Sequence, residues 1–479
     1  MESTRVGVAA ESSGGDGPGE TTLVADLGAS SFRVALFAGD GHALATAARP
    51  HRLGPEADPE GWLATFAELV AELLAPRPAL RVAAIAITAF TRTEIHLDGA
   101  GMPLRPAITF LDTRAVAEAA ALELRLGTRG VFSAVHPLAR LAWLARHEPA
   151  VHGAIVHVVQ PKDFLNFRLT GRLASDPASN VPLVGDTRDY LPERLAAAGV
   201  PATLFPALSS PRHGLGPVRE GLPGALARLA GARVVVGAMD TWAATLGLGV
   251  HEVGLAYNLA GTTEVNGMML AAPVRAEGLL GVAWDDGLFH LGGPSQAGAG
   301  CLAWLAGLLG TTPESLAHAA AAVDPAAAVP TFLPYLDGER VPFWDARLRG
   351  GFMGLVRDTD PGMLARAVME AVAFHDRLVL GRAAAAAGGP PREVVLGGGG
   401  ASSTLWCQIK ADCWALPLHR PDVDEPGLRG GHLLASGRPS PPPVGRRYVA
   451  APRRAALLEP RYRRFLAEVE KLRGGTAHA

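Results

Sequence analysis

The chain has 479 residues, of which 48% are hydrophobic, and its 44 basic and 46 acidic side chains give a formal net charge of −2 at pH 7. That length predicts two to three domains with large cores of their own. A near-neutral chain lacks the basic surface with which proteins bind nucleic acid or anionic membranes, so we expect neither partner.

The search for targeting patterns in the sequence and the number of cysteines both bear on the cellular compartment. No charged and then apolar signal peptide opens the chain, and the apolar run within residues 289–313 is too short to cross a bilayer. Three cysteines make no disulfide framework, which is typical of a reducing compartment. We therefore expect a soluble protein of the cytoplasm.

The first half of the chain predicts a hairpin, a further strand and two helices. Residues 1–20 are poor in apolar groups and predict a disordered tail. Residues 22–26 and 32–37 are β-rich and flank a Gly/Ser turn, which predicts a hairpin. Residues 80–88 predict a buried strand, and residues 60–75 and 115–126 have helical spacing. The second of these helices is expected to be capped by Asp112 or Thr113 and to end at Gly127.

The second half repeats part of this order. Residues 233–239 predict a strand that runs into Asp240, and a helix is expected to follow. The segment NLAGTT at 258–263 resembles DLGASS at 26–31, and each is flanked by two strands, which suggests two domains on one plan. Further on, the chain predicts a helix from Asp360 and Pro361 to about residue 387, a strand at 393–396 and a helix at about 404–415. We predict an α/β protein with domains at 21–250 and 251–479.

The segment 26–33, DLGASSFR, has the residue types of a phosphate site. A hairpin turn of small residues lets backbone N–H groups and hydroxyls approach a phosphate closely. The carboxylate of Asp26 can hold Mg²⁺, directly or through water, and Arg33 adds a permanent cation. The segment Gly261-Thr262-Thr263 offers a similar turn. An ordinary polar hairpin is the alternative in both places.

Two further segments fit nucleotide and alcohol chemistry. The run LGGGGASS at 396–403 follows a strand and opens a helix, where nucleotides commonly bind. Its glycines do not fit the dinucleotide pattern GxGxxG, and a tight strand-to-helix corner is the alternative. Asp240 stands at a strand-to-helix junction and is the best candidate for a general base, although a plain N-cap aspartate would look the same.

These pieces together resemble the FGGY family of carbohydrate kinases, within the actin-like ATPase superfamily. The resemblance covers about residues 21–435 in the expected order. The motifs are DLGASSFR (26–33), FLDTR (110–114), PKDFLNFRLTG (161–171) with Ser175-Asp176, GAMDTWAATLGLG (237–249), GTTE (261–264), LPYLDGERVPFWD (333–345) and GGGGASSTLWCQIKAD (397–412). One such match would be weak evidence, whereas seven in order are strong.

The resemblance implies an ATP-dependent kinase of a small sugar or polyol that uses Mg²⁺, built from two actin-like (ribonuclease H-like) domains with a cleft between them. Asp240 would be the catalytic base and Asp26 the metal ligand. Substrate would contact Thr91, Arg92, Asp112 and Asp240. ATP would contact a larger set: Gly28, Ser30, Ser31, Arg33, Gly261, Thr262, Thr263, Gly398, Gly399 and Ser403. A homodimer is possible.

The substrate position departs from known members of the family. Thr91-Arg92 stands where xylulokinase-like members have Met-His and glycerol kinases have Arg-Glu. A pentulose such as xylulose is the first expectation, because FLDTR and GERVPFWD resemble pentulose kinases most. Arg92 could bind several hydroxyls or the carboxylate of an acidic sugar. A non-catalytic binding or regulatory protein on the same fold is the alternative function.

The C-terminal region departs as well. In the family, a long helix usually follows the position of Glu425. Here the segment GGHLLA at 430–435 is followed by a proline-rich stretch, through which a helix cannot continue. Sequence that resembles the family resumes at VGRRY (444–448). The sequence therefore predicts that the C-terminal domain is shortened near 436–444, with exposed apolar surface or weakened adenine binding as the consequence.

Overall fold

The structure is a computed structural model that describes residues 20–128, 130–284, 287–438 and 443–476. The predicted disordered tail, apart from its last residue, lies outside the described residues, and so do residues 439–442 of the predicted shortening.

Strands and helices alternate along the chain. The strands are β1 Thr21–Leu27, β2 Ser31–Phe37, β3 Ala43–Pro50, β4 Glu56–Ala57, β5 Val82–Ala89, β6 Ile95–Leu97, β7 Ala107–Ile108, β8 His157–Val159, β9 Gly214–Pro217, β10 Arg233–Val235, β11 Ala238–Met239, β12 Leu255–Ala260, β13 Glu264–Leu270, β14 Leu280–Ala283, β15 Phe289–Pro294, β16 Thr331–Leu333, β17 Gly351–Met353, β18 Glu393–Gly397, β19 Leu418–Pro421 and β20 Gly445–Tyr448. The α-helices are α1 Pro59–Leu74, α2 Val116–Leu126, α3 Pro137–His147, α4 Pro149–Ala154, α5 Pro161–Thr170, α6 Pro192–Ala198, α7 Asp240–Gly247, α8 Ala299–Leu308, α9 Pro313–Ala322, α10 Pro361–Ala387, α11 Thr404–Trp414, α12 Pro426–Ser436 and α13 Pro452–Thr476.

The first compact unit contains the described residues up to Gly249, together with Ala283, Trp284 and the segment from Asp424 to Arg438. Its main sheet has the strand order β3-β2-β1-β5-β10-β9, and β11 pairs with β5. Strand β1 is antiparallel to β2 and parallel to β5. Every residue of β1 is buried, as expected of a central strand with protein on both faces.

The second unit contains the other described residues and has a sheet in the order β14-β15-β13-β12-β18-β19-β20. Strand β12 is antiparallel to β13 and parallel to β18, so it has the same kind of neighbours as β1 has in the first unit. The two hairpins whose turns resemble one another in sequence therefore stand at equivalent places in their sheets. The α/β prediction with two related domains is confirmed, with one mixed sheet in each unit.

Helix boundaries follow local signals. Asp58 caps α1 by accepting a hydrogen bond from the backbone of Glu60, and one face of the helix buries large side chains such as Phe66 against the sheet. Helix α10 begins after the cap Asp360, as predicted, and ends at Gly388 with φ 81°. Both predicted hairpins, the strand near 80–88 and the helix near 404–415 are also confirmed.

One predicted cap is wrong. Helix α2 ends at Gly127 as expected, but it begins after Ala115, and no side chain caps it. Asp112 instead accepts hydrogen bonds from the backbone N–H and from Nε of Arg114. A charged guanidinium two residues away is a stronger partner for a carboxylate than a helix N–H group, so Asp112 is not used as a cap.

Helix α12 brings the chain back to the first unit. The sequence predicts this segment as part of the C-terminal domain, whereas its contacts lie with α7, β1 and β5. Leu428 joins a small buried cluster with Val24 of β1. Gly430 of α12 and Gly247 of α7 allow the close approach of the two helices, because a methyl group on Gly430 would lie 1.8 Å from the main-chain oxygen of Ala243, and one on Gly247 would lie 1.9 Å from that of Pro426. The helix ends at Ser436, before the proline-rich stretch, as expected.

Candidate functional site

Asp26 lies at the end of β1, at the edge of the sheet where the parallel strands end. It pairs in register with Thr88 of β5, whose hydroxyl donates a 2.7 Å hydrogen bond to Oδ1 of Asp26. Burial raises the pKa of the Asp26 carboxyl, and the hydrogen bond from Thr88 and the charge of Arg33 work against that rise. A buried carboxylate with a raised pKa is a site where a cation would be bound favourably.

Arg33 stands opposite Asp26 in the β1–β2 ladder. Its Nη2 lies 3.9 Å from Oδ2 of Asp26, and its Nη1 forms an ion pair with Glu425 at the start of α12. Gly427 follows in the first turn of that helix, where a methyl group would lie 3.0 Å from Oδ2 of Asp26. The first turn of α12 thus covers the Asp26 carboxylate, and glycine there leaves it room.

The turn between β1 and β2 is exposed. The N–H of Gly28 donates a 3.0 Å hydrogen bond to the carbonyl of Ser31, which closes the turn and leaves Ser30 at the surface. The predicted phosphate-binding residues therefore form a small-residue turn within a few residues of Asp26. Their backbone and hydroxyl groups are accessible to a ligand.

Asp240 is the first residue of α7, directly after β11. Its Oδ1 accepts hydrogen bonds from the backbone N–H of Thr241 at 2.6 Å and from the hydroxyl of Thr241 at 3.2 Å. Burial, and then the charge of Asp26, raise the pKa of Asp240 to about 6. Both strands β11 and β1 pair in parallel with β5, which is why the two carboxylates come close to one another.

The other residues predicted to contact sugar lie in the same unit as this pair. Thr91 and Arg92 are partly buried after β5, and Asp112 is buried. Both oxygens of Asp112 are engaged by Arg114, whose Nη2 also lies 2.7 Å from Glu56. These hydrogen bonds hold the pKa of Asp112 below its usual value, although burial works in the opposite direction.

In the second unit, two glycine-rich segments meet. The turn from Gly261 to Thr263 contacts the start of α8, where the backbone N–H of Gly300 donates a 2.9 Å hydrogen bond to the carbonyl of Thr262. Gly398, with φ 82°, passes over the end of β12, where a methyl group would lie 2.5 Å from the main-chain oxygen of Ala260. Both side chains of the Thr262-Thr263 pair are exposed. The predicted nucleotide residues of this unit are therefore brought together.

Ser403 has a structural role as a helix cap in the second unit. Its hydroxyl accepts a 3.3 Å hydrogen bond from the backbone of Trp406 and so caps α11. Gly399, by contrast, is exposed, and a methyl group there would meet nothing within 4 Å.

The motif PKDFLNFRLTG and the later Ser175-Asp176 form one buried ion network. Lys162 lies 2.5 Å from Oδ1 of Asp163 and 3.0 Å from Oδ1 of Asp176, and Ser175 donates a 2.7 Å hydrogen bond to Asp163. Lys410 of the second unit forms a similar network, 2.6 Å from Glu264 and 3.1 Å from a second buried carboxylate. Each unit therefore contains one buried network of ion pairs in its interior.

Several residues beside the candidate site were missed from sequence. Glu425 and Gly427 are more than 390 positions away from Arg33, and the signal available was Pro426, a typical first residue of a helix. Arg140 is fully buried and forms an ion pair with Glu94 beneath Arg92. No local pattern marked this arginine.

Among the residues that the structure describes, no group of three or more His, Cys, Asp or Glu side chains could hold a metal ion. In the same part of the chain, none of the helices has the length and apolar character needed to span a bilayer.

Known proteins resemble this chain in both sequence and structure. Residues 21–247 match the profile of the N-terminal domain of the FGGY family of carbohydrate kinases, and residues 256–437 match that of the C-terminal domain. The chain is 34% identical over 370 residues to a xylulose kinase of Klebsiella pneumoniae, covering 73% of this chain and 76% of the relative. It is 30% identical over 448 residues to a glycerol kinase of Gloeobacter violaceus, covering 86% and 87%. Among solved structures, a xyloylose kinase from Brucella ovis is similar with a TM-score of 0.88 and 27% identity, covering 95% of this chain and 100% of that one.

Proposed function

The chain belongs to the FGGY family of carbohydrate kinases, and we propose that it transfers the γ-phosphoryl group of ATP to a hydroxyl of a pentulose such as xylulose. Its enzyme class is that of a sugar kinase, and kinases of this family use ATP with Mg²⁺. The pentulose is supported by the xylulose kinases among its relatives. The observation that carries the proposal is the neighbouring pair of carboxylates, Asp26 and Asp240, at one edge of a sheet.

Asp240 is proposed as the general base. The substrate hydroxyl attacks the γ-phosphorus, a new O–P bond forms, the bond to the bridging oxygen breaks, and ADP leaves with that electron pair. The hydroxyl proton passes to Oδ2 of Asp240, which accepts no hydrogen bond from the part of the chain that the structure describes. A pKa of about 6 leaves this carboxylate ionised at pH 7 and still basic enough to take the proton.

A magnesium ion fits beside Asp26. This buried carboxylate carries a raised pKa, and its charge raises the pKa of Asp240, so a cation would relieve the unfavourable charge. Magnesium commonly takes only one or two carboxylates and completes its shell with phosphate and water, so a larger cluster of side chains is not required. The ion would neutralise charge on the phosphates when bound. Asp26 would hold it.

The remaining predicted residues are proposed as ligand contacts. In the first unit, the turn with Gly28, Ser30 and Ser31 would bind phosphate oxygens, and Arg33 would supply a positive charge. In the second unit, Gly261, Thr262, Thr263, Gly398, Gly399 and Ser403 would bind the nucleotide. The exposure of Ser30, Thr262, Thr263, Gly398 and Gly399 supports this proposal.

Sugar contacts are proposed for Thr91, Arg92, Asp112 and Asp240. Two nitrogens of Arg114 lie against Oδ2 of Asp112, whereas Oδ1 accepts, among the described residues, only from the backbone N–H of Arg114 and keeps a further lone pair for a sugar hydroxyl. The non-catalytic alternative is not supported, because the relatives are named as kinases. A cytoplasmic location and a homodimer remain proposals, and the three free, buried cysteines are compatible with a reducing compartment.

A coupled assay of ADP release tests the function. Mg-ATP is supplied with a panel of pentuloses, hexuloses, polyols and sugar acids, and Asp240→Asn is the control. A rate that depends on sugar and is lost in the variant would support the proposal. Folded protein that releases no ADP with any member of the panel would contradict it.

A further inference from the structure

Arg92 has an unusual main-chain conformation. Its φ of 56° lies in the left-handed region, which long side chains rarely adopt. Nη1 of Arg140 donates a 2.8 Å hydrogen bond to the carbonyl of Arg92, and Arg140 is itself buried and paired with Glu94. A buried ion pair therefore fixes Arg92 in this conformation. Such strain persists where the surroundings impose it, and it is concentrated at ligand sites.

The guanidinium of Arg92 has no acceptor among the described residues. Arg140 is bonded to Oε2 of the neighbouring Glu94, whose Oε1 accepts no hydrogen bond from the described part of the chain. Glu94 therefore favours the charge of Arg92 without bonding to it, and Asp112 is already bonded to Arg114. Burial, and then the charge of Arg140, lower the pKa of Arg92 from its ordinary value. A partly buried guanidinium without an acceptor in the described part of the protein is open to an anionic ligand, which would supply the charge-assisted hydrogen bonds that these residues do not.

His136 supplies a second donor without an acceptor. It caps α3, where Nδ1 accepts a 3.2 Å hydrogen bond from the backbone of Leu138. In a neutral ring the proton then sits on Nε2, and burial lowers the pKa of His136 to about 3, so the ring is neutral at pH 7. The side chain is 1% exposed, yet Nε2 has no partner in the described part of the chain.

His136 and Arg92 are neighbours. His136 precedes Arg140 by four positions, about one helical turn, so both side chains lie on one side of α3. Arg140 contacts the carbonyl of Arg92 directly, and the charge of Arg92 is among those that lower the pKa of His136. Two hydrogen-bond donors without acceptors thus lie together beside the predicted sugar contacts.

We propose, on the premise of the kinase function above, that Arg92 and His136 bind a carboxylate of the substrate, so that the enzyme phosphorylates sugar acids as well as a neutral pentulose. The two oxygens of a carboxylate accept from both donors at once and neutralise the guanidinium. A neutral hydroxyl can accept from these donors, but it supplies no charge to pair with the guanidinium. Phosphoryl transfer itself is unchanged: a hydroxyl of the acid forms the new O–P bond, ADP leaves, and Asp240 takes the proton.

A matched pair of ligands tests this proposal. D-Xylonate and xylitol share one carbon chain and differ at C1, where the first has a carboxylate and the second a hydroxymethyl group. Calorimetry measures their binding to the full-length protein, and ADP release measures their turnover. Xylonate is expected to bind wild-type protein at least about tenfold more tightly than xylitol, because one charge-assisted contact is added.

Three variants of the proposed site and one control separate loss of the carboxylate site from general damage to the protein. Arg92→Met and Arg92→Asn both remove the guanidinium, and asparagine suits the left-handed conformation, which protects the fold. Each should abolish the preference for xylonate. His136→Asn keeps an acceptor for the cap of α3 but loses the Nε2 donor, so it should reduce the preference about threefold. Arg81→Met, at an exposed position, should leave it unchanged.

The outcomes distinguish the two proposals. Equal binding of xylonate and xylitol, or a preference that survives in both Arg92 variants, would overturn the carboxylate site. Turnover of xylulose without binding of xylonate would do the same and leave the kinase function intact. Arg92-dependent binding of xylonate with no ADP release from any sugar would support the carboxylate site and contradict the proposed function.

Discussion

The hydroxyl of Thr88 donates a 2.7 Å hydrogen bond to Oδ1 of Asp26 across two neighbouring parallel strands. This contact favours the ionised form of a carboxyl whose pKa burial raises. The buried hydroxyl therefore prepares Asp26 to bind a cation. The proposed metal site thus depends on one residue outside the family-like motifs.

Replacement of this hydroxyl is the first prediction. Thr88→Val keeps the shape of the side chain but removes the donor, so the pKa of Asp26 should rise further. The Mg²⁺ concentration needed for half-maximal ADP release should then increase about threefold to tenfold, as expected for one lost hydrogen bond to a charged group. Thr46→Val, on the edge strand β3, is the matched control and should leave this concentration unchanged. An unchanged Mg²⁺ requirement in Thr88→Val would exclude this role.

Asp240→Asn should separate activity from stability. Loss of the base should lower kcat at least a hundredfold. The folded state binds a proton at Asp240 more tightly than the unfolded chain does, because its pKa is about 6 instead of 3.8. The ionised group therefore costs folding free energy above about pH 6, and the asparagine variant should be more stable at pH 8 by on the order of 1 kcal/mol. Urea unfolding across pH 4–8 measures this gain, which should shrink as the pH falls below about 6. A variant less stable than wild type at pH 8 would contradict the argument that burial and the charge of Asp26 disfavour the ionised form of Asp240.

The pH profile of kcat should have an acidic limb near pH 6, where Asp240 becomes protonated. Both hydrogen bonds from Thr241 lower that pKa, so Thr241→Val, which loses the hydroxyl, should move the limb to higher pH by a few tenths of a unit. Steady-state rates between pH 5 and 9 measure the shift. A limb that stays in place in Thr241→Val would assign the titration to another group.

The chain contains only three lysines, and their replacement should have very unequal effects. Lys162→Met would leave Asp163 and Asp176 buried without a cation, which costs about 3–5 kcal/mol of unfolding free energy. Lys410→Met should have a comparable cost in the second unit. Lys471 is 71% exposed, so Lys471→Met should change stability by less than about 0.5 kcal/mol. Denaturant unfolding of the three variants measures this order, and equal stabilities would contradict it.

Two adjacent glycines test the nucleotide segment of the second unit. Gly398→Ala forces a side chain into a φ of 82° and against the main chain of Ala260, and should cost about 1–3 kcal/mol. Gly399→Ala meets nothing within 4 Å and should leave stability nearly unchanged. If this segment binds the nucleotide as proposed, Gly399→Ala should still raise the KM for ATP, because the methyl group stands where the ligand would lie. An unchanged KM would place the nucleotide elsewhere.

Local patterns predicted elements whose signals are contained within a few residues. The turn between β1 and β2, the cap and end of α10, and the strand that runs into Asp240 all follow from neighbouring residue types. Asp112 shows where such reasoning stops. Its position suited a helix cap, but Arg114 offered a charged partner, and the stronger interaction decided its place.

The sequence by itself determined the family, the order of the motifs and the identity of the candidate carboxylates, because these are properties of residue type and spacing. Only the tertiary structure decided that α12 returns to the first unit, which sets Glu425 against Arg33 and Gly427 over Asp26. It also decided that Arg140 of α3 bonds to the carbonyl of Arg92, which brings the part of the chain with His136 near Arg92. Such pairings join residues that lie tens to hundreds of positions apart in the chain. They are selected by the packing of helices onto a sheet, and local residue propensities do not encode that packing.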